Sequence, residues 1–151
     1  MIKIKQLQKK LRNGAGFTLI EILVVATIIA LLASAASVAY SQFGKQARDA
    51  RRKADLESVR AAVEMYRSNE DTYPVSITFG GDLCDPLGCS TITYMKSIPN
   101  DPKNPTYKYY YSGTASDYTI GAYLETASTC AVTISCTGAN CNYCLGPYGE
   151  K

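Results

Sequence analysis

The chain has 151 residues, enough for one domain behind an apolar anchor but not for two independent domains. Its formal net charge of +3 is unevenly placed: Lys3, Lys5, Lys9, Lys10 and Arg12 stand in the first sixteen residues with no acid, leaving 11 basic against 13 acidic side chains in the remainder. There is no histidine, which excludes a His-based catalytic triad and removes the commonest general base and zinc ligand. Nucleic acid is not indicated, because no basic face remains after residue 16, and no nucleotide-binding motif is present.

Residues 1–16 read as a basic leader. Residues 17–40, FTLIEILVVATIIALLASAASVAY, carry a single charge, Glu21. As a helix this stretch spans about 36 Å, enough to cross a hydrocarbon core of about 30 Å. The basic leader should stay in the cytoplasm and send the rest of the chain outward. An ordinary cleaved signal peptide is the competing reading, with Ile22–Leu32 as its apolar region and Ala33-Ser34-Ala35 as its cleavage site. It gives no role to Gly14-Ala15-Gly16 or to Glu21.

Gly16-Phe17-Thr18-Leu19-Ile20-Glu21, between the basic leader and the apolar stretch, resembles the processing signal of type IV prepilins and pseudopilins. The resemblance implies cleavage between Gly16 and Phe17 by a membrane prepilin peptidase, and N-methylation of Phe17. It further implies that Glu21 guides filament assembly by pairing with the N-terminal amine of a neighbouring subunit. A carboxylate in the bilayer is costly, which makes a role for Glu21 physically reasonable. The small residues Ala26, Ala30, Ala33, Ser34, Ala36 and Ser37 allow close helix approach. Pilins often have a proline after about twenty mature residues; Ala36-Ser37-Val38 stands there instead, so the family's expectation of a kink or melted helix does not carry over to this chain.

Residues 41–69 continue as an amphipathic helix. Leu56, Val59, Val63 and Tyr66 form an apolar stripe, with Asp55, Glu57, Arg60, Glu64 and Arg67 on the wet side. Asp49–Lys53, and either Glu64–Arg67 or Arg60–Glu64, are candidate helix-spaced ion pairs, and the basic run Arg48–Lys53 reads as a solvated face. The helix should end near Asn69, before Tyr73-Pro74.

Residues 70–151 form a β-rich head with a cysteine-rich tail. The turn signals of 75–105 suggest loops with short strands. Tyr107–Ser112 and Tyr118–Glu125 read as a hairpin, with Thr129–Ser135 as a third strand. The tyrosines should pack the sheet on the helix and keep their hydroxyls wet. Glu70-Asp71-Thr72-Tyr73-Pro74 and Tyr94–Pro102 resemble segments of major pseudopilins. That family usually ends in an acidic calcium loop. The tail CTGANCNYCLGPYGEK departs from it, so no metal site is expected; Asp101 and Asp117, the nearest acids, fall short of calcium's six to eight oxygens.

Cys84, Cys89, Cys130, Cys136, Cys141 and Cys144 are candidate disulfide partners if the head reaches an oxidising compartment. Local pairs (Cys84–Cys89, Cys130–Cys136, Cys141–Cys144) and longer connections are both open. A redox Cys141-x-x-Cys144 lacks its βαβ context, and a zinc site from Cys84, Cys89, Cys141 and Cys144 is disfavoured by export.

The expected fold is α+β: a long N-terminal helix, part transmembrane and part amphipathic, on a small antiparallel sheet. No cofactor is expected. The resemblance implies a structural subunit of a type IV pilus-like filament. A major pseudopilin of a type II secretion system is the alternative, and a singly anchored exported binding domain or enzyme is a reading of another class. The implied partners are copies of itself, sister pseudopilins, prepilin peptidase, an inner-membrane assembly platform with its ATPase, and membrane lipid before assembly. The implied location is the inner membrane, single-pass, and then a periplasmic or extracellular filament.

Overall fold

A computed structural model describes residues 16–126 and 128–151, so the basic leader, Gly16 excepted, lies outside the described residues. Helix α1 runs over Leu19–Glu70 without a break at Ala36-Ser37-Val38. Residues up to Ser41 form one unit and Gln42–Lys151 a second. In the first unit the apolar side chains from Phe17 to Leu32 are exposed. The hydroxyls of Thr27, Ser34 and Ser37 donate to the helix's own carbonyls of Val24, Leu31 and Ser34, at 2.8–3.2 Å. Such self-satisfied polar groups suit an apolar surrounding, which offers no water as an alternative partner.

In the second unit the stripe read from the sequence is the core. Leu56, Val59, Ala62, Val63 and Tyr66 are buried against Tyr73, Ile98, Tyr109, Tyr118, Ile120, Tyr143 and Leu145. The helix stops where Asp71 turns left-handed (φ 56°) and its N–H donates to Arg67 O at 2.9 Å.

Strands β1 (Leu83–Cys84) and β2 (Thr93–Met95) form a small antiparallel pair. The main sheet has four antiparallel strands in sequential order: β3 (Tyr110–Gly113), β4 (Tyr118–Ala122), β5 (Tyr143–Gly146) and β6 (Gly149–Glu150). The β3–β4 hairpin turns at Gly113↔Tyr118 as the sequence suggested. It starts later and ends earlier than expected, because flanking N–H groups are taken elsewhere. Lys108 N–H donates to Cys136 O, Leu124 N–H to Asn142 Oδ1, and Glu125 N–H to Asp49.

The expected third strand, Thr129–Ser135, is not one. Only an isolated Ser135↔Asn140 bridge forms there. The ladder partner of β4 is instead β5, drawn from the tail. Its alternation explains the choice: Tyr143 and Leu145 enter the main core, while Cys144 faces a second cluster with Cys136, Cys141, Tyr110, Tyr123 and Ile134. Gly121 on β4 makes room for that cluster, since a Cβ there would stand 3.0 Å from Cys141 Sγ.

Three disulfides close the head: Cys84–Cys89, Cys130–Cys144 and Cys136–Cys141. Of the local pairs considered from sequence, Cys84–Cys89 is present. Cys130–Cys136 and Cys141–Cys144 are not, because Cys144 on β5 faces Cys130 across the second cluster. With these six sulfurs committed, neither the C-x-x-C nor the four-cysteine zinc arrangement exists.

Candidate assembly and processing site

The sequence singled out Gly16, Phe17 and Glu21, and the structure places all three at the start of α1. Gly16 and Phe17 precede the helix and are exposed, Phe17 at 83%. A Cβ added at Gly16 would meet nothing within 4 Å among the described residues. Thr18 and Glu21 form a reciprocal cap. Thr18 N–H and its hydroxyl donate to Glu21 Oε2 at 2.7 and 2.8 Å, and Glu21 N–H donates to Thr18 Oγ1 at 3.3 Å. This is the capping box, T-x-x-E, which satisfies two backbone donors the helix would otherwise leave bare. The signal was present in the sequence as Thr18-x-x-Glu21, but it was read only as part of a longer motif. Glu21 therefore has a partner within its own chain.

Sequence reasoning missed a buried ion cluster in the second unit. Arg52, assigned to a solvated face, has no exposed surface. Its guanidinium grips Asp101 with two bonds (Nε–Oδ2 2.7 Å, Nη2–Oδ1 3.0 Å), and Nη1 reaches Asp49 at 2.8 Å and Glu125 at 3.1 Å. Glu125 also receives Arg48 through two bonds, at 2.6 and 2.8 Å, and Lys103 Nζ at 2.8 Å. Asp49 accepts from the N–H groups of Glu125 and Thr126 and from the Thr126 hydroxyl, at 2.7–2.9 Å. The Arg48 fork, helped by Lys103 and Arg52 and opposed by burial, holds the Glu125 carboxyl well below the usual carboxylate range. Burial alone would raise Asp49, but its bonds from Thr126, Glu125 N–H and Arg52 hold it below its ordinary value. The separations i, i+3 and i, i+4 along 48–52 were legible; the distant acids Asp101 and Glu125 were not.

The expected helix pairs are replaced accordingly. Asp49 pairs with Arg52, while Lys53 Nζ lies 5.0 Å over the Tyr143 ring and Arg67 lies 4.5 Å over Tyr73. Arg60 lies 3.4 Å from Glu57. Glu64 accepts instead from the hydroxyls of Tyr118 (2.8 Å) and Tyr73 (3.1 Å). Tyr109 donates to Asp55 and Tyr94 to Glu70, each at 2.8 Å, and Tyr111 to Pro74 O. The hydroxyls of Tyr73, Tyr94, Tyr109 and Tyr118 are thus bound by helix carboxylates rather than kept wet. Burial, together with these acceptors where present, raises the phenols of Tyr109, Tyr111 and Tyr118 far above their ordinary value. Burial, with Glu150 and Glu57 nearby, pushes Tyr143 up to about 12. The two acids nearest to a metal role are engaged by internal cations. Asp101 holds Arg52, and Asp117 receives Lys151 Nζ at 2.8 Å. No three metal-ligating side chains cluster among the described residues.

Residues 11–37 match the prokaryotic N-terminal methylation motif, and residues 40–127 match the model for type II secretion system protein G. The chain belongs to the type II secretion system protein G family. Its curated relatives agree. The chain is 31% identical over 122 residues to the type II secretion system core protein G of Pseudomonas aeruginosa, covering 74% of this chain and 85% of that one. It is 30% identical over 125 residues to that of Vibrio cholerae, covering 76% and 84%. The core protein G of Pectobacterium carotovorum is 30% identical over 107 residues, 65% of this chain and 67% of that one. No solved structure matches significantly. Protein G family members are structural pseudopilin subunits and not enzymes, which carries assembly with sister pseudopilins and processing by prepilin peptidase. The family model ends at residue 127, so four of the six cysteines and strands β5 and β6 lie beyond it.

Proposed function

We propose that this chain is the structural subunit of a type II secretion pseudopilus, cut between Gly16 and Phe17, methylated on Phe17 and polymerised through residues 17–40. The supporting observation is the joint match of the methylation motif and the protein G model to one chain with an exposed apolar α1 segment. That segment is long and apolar enough to cross a membrane. In lipid it anchors the subunit, with the basic leader inside and residues 70–151 exported. In the filament the same surface packs against identical helices, with close approach at Ala26, Ala30 and Ala33. Energy for extraction comes from an assembly platform and its ATPase, since the chain itself has no nucleotide motif. Glu21 uses one oxygen on its own cap and offers the other to a neighbouring subunit's Phe17 amine.

Mass spectrometry of protein from cells tests the processing: the mature chain starts at methylated Phe17. A chain starting at Ala36, or one retaining its leader beside active peptidase, rejects it. Deleting the gene separates secretion from a type IV pilus. Exported enzymes retained in the periplasm with surface pili unchanged support the pseudopilus. Loss of pili with secretion intact assigns the chain to a pilus instead.

A further inference from the structure

The second cluster of the head is built from sulfur, and its burial pattern distinguishes the two disulfides that close it. Cys136, Cys141 and Cys144 are 1%, 5% and 1% exposed, whereas Cys130 is only partly buried, on a segment without regular structure. Strand β5 does not need sulfur to dock. It has ladder partners on both sides, and Tyr143 and Leu145 anchor it in the main core. Once it has docked, Cys144, Cys136 and Cys141 are almost wholly buried. Cys136–Cys141, five residues apart, is a local loop turned by Thr137 (φ 46°) and Gly138 (φ 81°) and can close before docking. Cys130–Cys144, fourteen apart, can close afterwards, because Cys130 is only partly buried.

We propose that Cys130 is the site where an exported disulfide oxidant engages the head, and that Cys130–Cys144 closes last, locking β5 into the sheet. The inference rests on the head lying in an oxidising compartment, as the proposed function holds. The Cys130 thiolate attacks one sulfur of the oxidant's disulfide, forming a mixed disulfide and releasing the oxidant's other sulfur as thiolate. Cys144 thiolate then attacks the Cys130 sulfur, closing the protein disulfide and releasing the second oxidant thiolate. Two protons leave the cysteines and two electrons end on the oxidant, which is reduced to a dithiol or to two thiols.

The full chain purified in detergent is tested with oxidised glutathione as the probe. Cys144→Ala leaves Cys130 unpaired, and it takes one glutathione within minutes by intact mass and peptide mapping. Cys130→Ala leaves Cys144 unpaired but buried, and its adduct forms at least tenfold more slowly until urea is added. Equal rates, or faster reaction at Cys144, overturn the proposal. A second measurement needs no substitution. Graded reduction of the wild-type chain, followed by alkylation, labels Cys130 ahead of Cys136 and Cys141; the reverse order also overturns it. Alkylation in cells separates the two readings. Six free thiols in living cells would reject export of the head while leaving the purified-protein result standing.

Discussion

Arg52 on α1 and Asp101 in the loop before β3 face each other through two parallel hydrogen bonds of 2.7 and 3.0 Å, with no solvent at the guanidinium. They are 49 residues apart, and Glu125 closes the cluster from beyond β4. Removing one member of a buried pair costs roughly 3–5 kcal/mol, because the partner's charge stays behind. Arg52→Ala strands Asp101 and Asp49 together, so urea unfolding of the detergent-solubilised chain should show a loss in that range. Arg52→Lys keeps the charge without the planar fork and should fall between. A loss under about 1 kcal/mol for Arg52→Ala would mean that the cluster does not hold the loops to the helix.

The same cluster sets acid stability. Glu125 and Asp49 bind protons less readily folded than unfolded. Their contribution is therefore complete above the ordinary carboxylate range and fades as pH falls through and below it. The melting temperature should hold steady near neutrality and drop steeply below about pH 4. Glu125→Gln should be less stable at pH 7 and lose less on acidification.

Alkaline behaviour has the opposite sign. Tyr109, Tyr111, Tyr118 and Tyr143 hold their protons more tightly folded than unfolded. Their contribution is present below about pH 10 and is lost as pH rises through the folded values. Absorbance at the phenolate band should show these four tyrosines ionising only well above the ordinary tyrosine range, together with unfolding. A single transition near pH 10 in folded protein would contradict the burial of these rings.

What the sequence could show depended on distance along the chain. Periodicity gave the stripe Leu56, Val59, Val63 and Tyr66, and the Tyr73-Pro74 signal gave the helix end to within a residue. The motif around Glu21 is local and was read whole. Strand β5 was missed because Cys-Asn-Tyr-Cys-Leu-Gly reads as a tail until Cys144 is known to face Cys130. Arg52 was misplaced for the same reason. A charged run looks solvated unless its partners, Asp101 and Glu125, are seen to arrive from elsewhere.

Asp85 carries the buried side-chain oxygen without a hydrogen-bond partner among the described residues, its Oδ1. It sits inside the Cys84–Cys89 loop. An unsatisfied buried polar group costs about 1–3 kcal/mol, and more when charged. Asp85→Asn removes the charge at nearly constant volume, so the chain should gain roughly 1 kcal/mol in urea unfolding. A comparable loss would show that the carboxylate has a partner in solution.

Glu21 carries two roles that one substitution cannot separate but a pair can. Glutamine still completes a capping box, because its side-chain oxygen accepts the Thr18 N–H, yet it brings no charge. Alanine removes both. Glu21→Ala should give a processed, membrane-held subunit that assembles poorly. Glu21→Gln should assemble as poorly as the alanine variant if pairing with a neighbour's amine sets the axial register. Pelleted filament relative to membrane-held subunit, read by immunoblot, compares the two directly. Near-normal filaments from Glu21→Gln would reassign this carboxyl to the Thr18 cap and its own helix start.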